Sequence, residues 1–393
     1  MNIFMVQMNP TVGALAANAA LIAAHYTAHA ATHDLIVCPE LCLTGYTPED
    51  LVLSTAFMDG VEQQVQALAA LTTHTQAALL ISTAWRGAAQ GIQNALILLQ
   101  GGRIAAISRK HRVPDDGVCD GQRSLKAGPL PAPILLKGQK LGFMTCEDMW
   151  FPDVAAHLKA QGATALIVPN ASPYEEGKRD RRLDVARKRV QDEELPLLYL
   201  NLYGGQDDIV FDGASFAMQA DGTLACTLGL FCDDTASVTL TAQGWRCNDN
   251  TSCKPWPDEL DTLYSALKTS IHDYVLKNGF KRVLIGLSGG VDSALVATLA
   301  VDALGADAVH CVMMPTPYTA QISLDDAATL AATLGCSYEI IPITDSMQSM
   351  TTLLGARAEH GVVHENLQSR LRGLILMALS NASGACVING QQI

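Results

Sequence analysis

The apolar run Val283–Leu287 ends in Ser288-Gly289-Gly290 and passes straight into a helical run, Val291–Ala303. A strand that turns through glycine into a helix belongs to a parallel sheet, with the turn at the carboxyl end, where helix N–H groups collect anions. No lysine follows the glycines, which excludes the Walker-type loop that grips the β and γ phosphates of a nucleotide. The Ser288 and Ser293 hydroxyls, the N–H groups of Gly289 and Gly290 and the helix N-terminus suit a pyrophosphate instead. Asp292 is placed to meet a Mg²⁺. A bare glycine pair also serves an ordinary strand-to-helix turn that needs one positive φ. Two serines and an aspartate around the pair favour the phosphate reading.

The flanking sequence keeps the same alternation. Asp258 can cap a helix whose apolar residues Leu260, Leu263, Leu267, Ile271 and Val275 fall three or four apart, with Gly279 as its stop. After the loop come a strand at Val309–Met313, a helix at Leu324–Leu334 and a strand at Tyr338–Ile343. Alternating strands and helices imply a parallel sheet whose carboxyl edge carries Ser288 and the segment after Met314.

The first 240 residues read as a separate layered α/β body. Strands are expected at Asn2–Gln7, Leu35–Cys38, Ala78–Thr83, Lys140–Thr145, Ala165–Val168, Leu197–Asn201 and Ser215–Gln219. Helices are expected at Ala14–Thr32, with a polar stripe at Asn18, His25 and His29, and at about Phe57–Thr75. Ala95–Leu99 and Ile104–Ser108 form a hairpin through Gly101-Gly102. From Thr241 to Pro257 the strand pattern fades and Gly244, Asn248, Asn250, Pro255 and Pro257 collect, so 1–243 and 258–393 are expected as domains joined by a linker, 244–257.

Three residues of the first body could perform covalent chemistry together. Cys146 follows a strand, rigidly held yet accessible. Its neighbours Glu147 and Asp148 disfavour a thiolate, so activation has to come from elsewhere. Lys110 could stabilise an oxyanion, and Glu40 could take the thiol proton and hand it to a leaving amine. Spacing alone does not bring them together, and a lone cysteine, lysine or glutamate is more often packing or surface.

Resemblance to known proteins does join them. Pro39-Glu40-Leu41-Cys42-Leu43-Thr44-Gly45-Tyr46, Lys110, and Thr145-Cys146-Glu147-Asp148-Met149-Trp150 resemble the Glu-Lys-Cys signature of the nitrilase (carbon–nitrogen hydrolase) superfamily. Pro169-Asn170-Ala171-Ser172-Pro173, Gly177-Lys178 and Asn201 through Gly213 resemble the glutaminase domain of glutamine-dependent NAD⁺ synthetases. The resemblance implies an αββα sandwich in which Cys146 forms a glutamyl thioester and ammonia is released, with Ser172 and Lys178 at positions that contact glutamine. After Lys110 the chain departs from the family: Asp116 stands where a glutamine-contacting tyrosine is usual, and Gly121 where a second glutamate is usual. Reduced glutaminase activity is the expected consequence.

The second body resembles the ammonia-using domain of the same enzymes, an ATP-pyrophosphatase (adenine nucleotide α-hydrolase-like) fold. The resemblance rests on Ser288–Ala294, Val312–Thr319, Ser323–Ala327 and Glu365–Gly373. It implies that ATP adenylates deamido-NAD, that pyrophosphate leaves into the loop Gly286, Leu287, Ser288, Gly289, Gly290, Val291, Asp292 and Ser293, and that ammonia displaces AMP. Asp292 matches the Mg²⁺ position, and Asn366 and Arg370 the segment facing deamido-NAD. The family continues beyond Ile393 with further ATP- and metal-binding residues, so the chain is expected to be a fragment or to carry an incomplete synthetase half. A glutamine amidohydrolase that no longer ligates is the alternative, and a chain that merely joins oligomers of intact relatives is a third.

Charge and composition bound the setting. A net charge of -13 argues against nucleic acid or an anionic membrane as the main partner. Eleven cysteines without a CxxC pair suit reduced thiols and a cytoplasmic location. The opening residues lack the basic segment of a signal peptide, and no run is long enough to span a membrane. Homo-oligomers are expected by resemblance alone.

Overall fold

The computed structural model describes residues 1–87, 91–113, 124–248, 255–358 and 361–389. The chain divides into two compact units, Met1–Ala266 and Leu267–Ile393.

In the first unit, strands β1 (Asn2–Gln7), β2 (Leu35–Val37), β3 (Ala78–Gly87), β4 (Gly91–Gln100) and β5 (Arg103–Arg109) supply most of one sheet. Strands β6 (Ile134–Leu136), β7 (Gln139–Phe143), β8 (Ala165–Asn170) and β9 (Leu197–Asn201) supply most of a second. A short hairpin, β10 (Tyr203–Gln206) with β11 (Ile209–Asp212), stands apart. Strands β12 (Phe216–Met218) and β13 (Leu224–Thr227) complete the second sheet, and β14 (Asp234–Thr241) and β15 (Gly244–Cys247) complete the first. The first sheet has the order β15-β14-β1-β2-β3-β4-β5 and the second β13-β12-β9-β8-β7-β6. In both, a parallel centre (β1, β2 and β3; β7, β8 and β9) is flanked by antiparallel strands.

Side-chain alternation explains why these strands read as unbroken apolar runs: both faces of each sheet are buried. Ile3, Met5, Leu35, Val37, Leu80 and Leu98 point to the interface between the sheets, where they meet Phe143, Ile167, Leu198 and Ala217. Phe4, Val6, Ile36, Leu79 and Ile97 point the other way, under the helices Leu15–His29 and Thr55–Leu71. On the far side, Leu166, Val168, Leu197 and Tyr199 pack beneath the helices Pro152–Ala160 and Lys178–Glu193. The layers are helix, sheet, sheet, helix. This is the αββα sandwich that the resemblance implied.

Several local expectations shift. Asn18 belongs to no solvent stripe. It is buried, and its amide donates to the Thr11 and Leu43 carbonyls, tying the first helix to the loop after β2. Gly244–Cys247, expected to open a linker, is an edge strand paired with β14, with Trp245 sunk into the core between the sheets. Residues 249–254 of that segment lie outside the described residues, as do Asp116 and Gly121.

In the second unit, strands β16 (Val283–Gly286), β17 (Val309–Met313), β18 (Ser337–Ile340) and β19 (Cys386–Ile388) form an all-parallel sheet in the order β18-β17-β16-β19. The helices Val291–Leu304, Gln321–Leu334, Thr344–Leu354 and Val362–Ser383 connect them. Asp258 caps the preceding helix, Glu259–Lys277, by accepting the Asp261 N–H at 2.9 Å. Of that helix's apolar stripe, Ile271 and Val275 are buried, whereas Leu260 and Leu263 are exposed. The strand expected at Tyr338–Ile343 stops at Ile340 because Pro342 cannot donate to the ladder.

Candidate active site

At one end of the sandwich, three loops leave strand ends and converge. Glu40 follows β2, Lys110 directly follows β5, and Cys146 lies three residues past the end of β7. Cys146 does not continue the strand. It opens a short 3₁₀ turn, Cys146–Met149, and holds a left-handed backbone conformation, φ 43°, which a side chain rarely adopts.

Asp148 fixes that turn. Its fully buried carboxylate accepts the N–H groups of Thr145 at 3.0 Å, Arg112 at 2.7 Å and His111 at 3.2 Å. The turn bearing Cys146 is thereby bound to the segment that follows Lys110. Glu147 raises the thiol pKa as expected, but Asp148 is engaged with backbone rather than facing the sulfur.

Glu40 and Lys110 form an ion pair with Nζ 2.7 Å from Oε1, and their side chains are 0% and 3% exposed. A charge pair this deep in the protein has to be fully hydrogen-bonded to be tolerated. Asn94 Nδ2 also donates to Oε1, at 2.6 Å, and the Ala171 N–H donates to Oε2 at 2.8 Å. Burial alone would lower the Lys110 pKa. The Glu40 carboxylate and then Cys146 outweigh it, so the ammonium is held above the ordinary lysine value. Burial, followed by the Glu40 charge, pushes the Cys146 thiol well up, and Lys110 offsets only part of this. The resting sulfur is therefore a protonated thiol beside a base, not a preformed thiolate.

A second buried network builds the wall that carries Ser172. Arg182, 2% exposed, donates through Nη1 to both Asp212 oxygens at 2.7 and 2.8 Å. It also donates to Ser172 Oγ at 3.1 Å, to Ser172 O at 3.1 Å and to Pro173 O at 2.9 Å. Asn201 Oδ1 accepts the Ser172 N–H at 2.8 Å. Ser172 thus lies in contact with the loop that touches Glu40. Lys178 opens the helix Lys178–Glu193 and pairs with Glu175, whose carboxyl it holds below the usual range. Sequence reading included Asn201 and Asp212 in a family-like run without giving either a role, and it missed Asn94 and Arg182. Arg182 hides in a run of charges that looks solvated, and only its spacing from Ala186, Arg189 and Val190, all buried, marks an inward face.

In the second unit the Ser-Gly-Gly loop stands at the carboxyl end of β16, between β17 and β19. The connection reverses direction there, which is where open α/β sheets bind ligands. Gly289 has φ 80°, and a Cβ there would meet Ser323 O at 2.2 Å, so glycine is required. Ser293 Oγ donates to Gly290 O at 3.0 Å and accepts the Ser288 N–H at 3.2 Å, while Ser288 Oγ accepts the Gly290 N–H at 3.2 Å. These bonds shape an exposed turn at the helix N-terminus, with Asp292 exposed in the first turn. Asn366 and Arg370 are exposed on one face of the helix Val362–Ser383. Its opposite face packs Leu367, Leu371 and Ile375 on the sheet, and Arg372 Nε donates to Met314 O at 3.1 Å.

Comparison with known proteins accounts for both units. Residues 3–247 match the carbon–nitrogen hydrolase family, and residues 263–392 match NAD synthase. The glutamine-dependent NAD(+) synthetase of Rhodobacter capsulatus is 46% identical over 392 residues, covering 98% of this chain and 70% of the relative. That of Xanthomonas campestris pv. campestris is 37% identical, covering 99% and 71%. The solved structure of the Acinetobacter baumannii glutamine-dependent NAD+ synthetase in complex with ADP superposes with a TM-score of 0.91 at 31% identity, covering 98% of this chain and 73% of that one. With both family matches in this order and such identity over nearly its whole length, the chain belongs to the glutamine-dependent NAD(+) synthetases.

Proposed function

We propose that the unit Met1–Ala266 hydrolyses glutamine and that the unit Leu267–Ile393 uses the released ammonia and ATP to convert deamido-NAD to NAD, with AMP and pyrophosphate as co-products. The observation that carries the first half is the buried Glu40–Lys110 ion pair beside a strained Cys146 turn. Sγ attacks the side-chain amide carbon of glutamine while Glu40 takes its proton. The Lys110 ammonium faces the oxyanion that develops. Glu40 returns the proton to the leaving nitrogen, ammonia departs, and a glutamyl thioester remains. Glu40 then activates the water that releases glutamate. Ser172 and Lys178 contact the glutamine.

In the second unit the loop Ser288–Ser293 receives the β and γ phosphates of ATP as pyrophosphate, and Asn366 and Arg370 face deamido-NAD. Among the described residues no group of three or more His, Cys, Asp or Glu could hold a metal. A lone exposed carboxylate suits Mg²⁺, which usually takes one or two protein carboxylates and completes its shell with phosphate oxygens and water. Asp292 would hold it there, and the ion would neutralise phosphate charge. The enzyme works in the cytoplasm, a reading supported by its cysteine usage. No helix among the described residues is long and apolar enough to cross a membrane.

The test supplies ATP and deamido-NAD with either glutamine or ammonium chloride. Cys146→Ala is expected to abolish NAD formation from glutamine and to leave the ammonium-driven reaction intact. Absence of NAD with both nitrogen sources in the unaltered chain would sink the ligase reading.

A further inference from the structure

The two oxygens of Glu40 are not equivalent. Oε1 already accepts two donors, Lys110 Nζ at 2.7 Å and Asn94 Nδ2 at 2.6 Å. Among the described residues Oε2 accepts one, the Ala171 N–H at 2.8 Å. A carboxylate oxygen offers about two acceptor positions, so Oε1 is filled and Oε2 keeps one open. The Ala171 backbone also draws the Cys146 thiol pKa down, against the larger effect of burial. The open acceptor position of the carboxylate therefore lies on Oε2.

Asn94 is built for this task from three sides. It is 2% exposed on β4, opposite Ala84 of β3. Ser82 Oγ donates to its Oδ1 at 3.3 Å, which fixes the amide with Nδ2 towards Glu40. Its carbonyl accepts the Lys110 N–H at 2.9 Å, extending the β4–β5 ladder by one bond. One residue thus holds Lys110 through its backbone and Glu40 through its side chain.

We propose that Asn94 is a positioning residue that closes Oε1 of Glu40, so that Oε2 alone exchanges the proton with Cys146. In acylation the S–H bond breaks as the C–S bond forms, the proton moves to Oε2, and Oε2–H then protonates the departing nitrogen. Throughout, Asn94 and Lys110 stay hydrogen-bonded to Oε1, and the carboxyl group cannot rotate to present the wrong oxygen. The inference rests on the reading of Glu40 as the base.

The experiment measures kcat and KM for ammonia release from glutamine across pH in the full chain, for Asn94→Ala, Asn94→Asp, Ser82→Ala and Glu40→Gln. Removing a donor to a carboxylate favours its protonated form. Asn94→Ala is expected to lower kcat by about tenfold or more, to leave KM for glutamine within about twofold, and to move the low-pH limb of kcat upward by about one pH unit. Asn94→Asp moves the limb further, because a second carboxylate beside the first favours protonation of one of them. Ser82→Ala, which frees the Asn94 amide to turn, moves it in the same direction by less and carries the test should the Asn94 variants fail to fold. An unmoved limb in every folded variant, with only a general loss of rate, would overturn the proposal. Full activity in Glu40→Gln would instead overturn the reading of Glu40 as base.

Discussion

At the scale of single residues, the surroundings of Cys146 favour its protonated thiol. Burial and the Glu40 charge both favour the neutral thiol, and Lys110, which offsets them in part, is already committed to Glu40. A thiolate therefore forms only as the proton passes to the base, which ties reactivity to substrate geometry. This has a measurable sign. A raised thiol pKa leaves the thiolate fraction small at neutral pH and rising about tenfold per pH unit until the pKa is reached. Peptide-resolved iodoacetamide labelling of Cys146 is accordingly expected to climb without a plateau through pH 9, above the ordinary cysteine value of about 8.5. A plateau reached below about pH 8 would reveal a preformed thiolate and contradict the electrostatics described.

At the scale of elements, the Ser-Gly-Gly loop works only because Gly289 lets two segments touch. Its φ of 80° and the 2.2 Å approach of a would-be Cβ to Ser323 O leave no room for a side chain. The backbone conformation alone makes Gly289→Ala cost about 1–2 kcal/mol, and the clash with rigid backbone adds to it. Calorimetry is expected to show a transition of the unit Leu267–Ile393 lowered by roughly 5 °C or more. NAD formation from ammonium chloride should fall more than about tenfold as the helix N-terminus is displaced, with ammonia release from glutamine unchanged. An unaltered ammonium-driven rate would show that the loop does not receive the phosphates. Elements of this kind were legible because their signals are local. Asn2–Gln7, Leu197–Asn201 and Val309–Met313 are apolar runs bounded by polar or turn residues, and they are strands to the residue. Asp234–Thr241 escaped notice because Thr235, Ser237, Thr239 and Thr241 dilute it, yet Ala236, Val238 and Leu240 alternate inward. Glu40, Lys110 and Cys146 were legible as family motifs. Asn94 and Arg182 were not, since their roles depend on partners up to 54 residues away in sequence, which no local pattern encodes.

At the scale of the whole molecule, apolar exposure and net charge pull in opposite directions. Along the helix Val362–Ser383, the face that carries Asn366 and Arg370 continues into Leu374, 65% exposed, and Met377, 52% exposed, with Val363 at its start. Val291, Ile322 and Leu353 of the same unit are exposed by more than two-thirds. Apolar surface in this amount favours association, whereas a charge of -13 on every chain opposes it. Salt decides between them: the Debye length falls from about 10 Å at 0.1 M to about 3 Å at 1 M, which removes the repulsion and leaves the apolar term intact. Sedimentation velocity is therefore expected to show self-association that strengthens with both protein and sodium chloride concentration. The double variant Leu374→Lys, Met377→Lys should weaken it about tenfold or more, the equivalent of one buried side chain per partner. A monomer at every concentration and salt would mean that this face is solvated in the working enzyme. Association that weakens with salt would mean that charge pairs, not these apolar residues, hold the copies together.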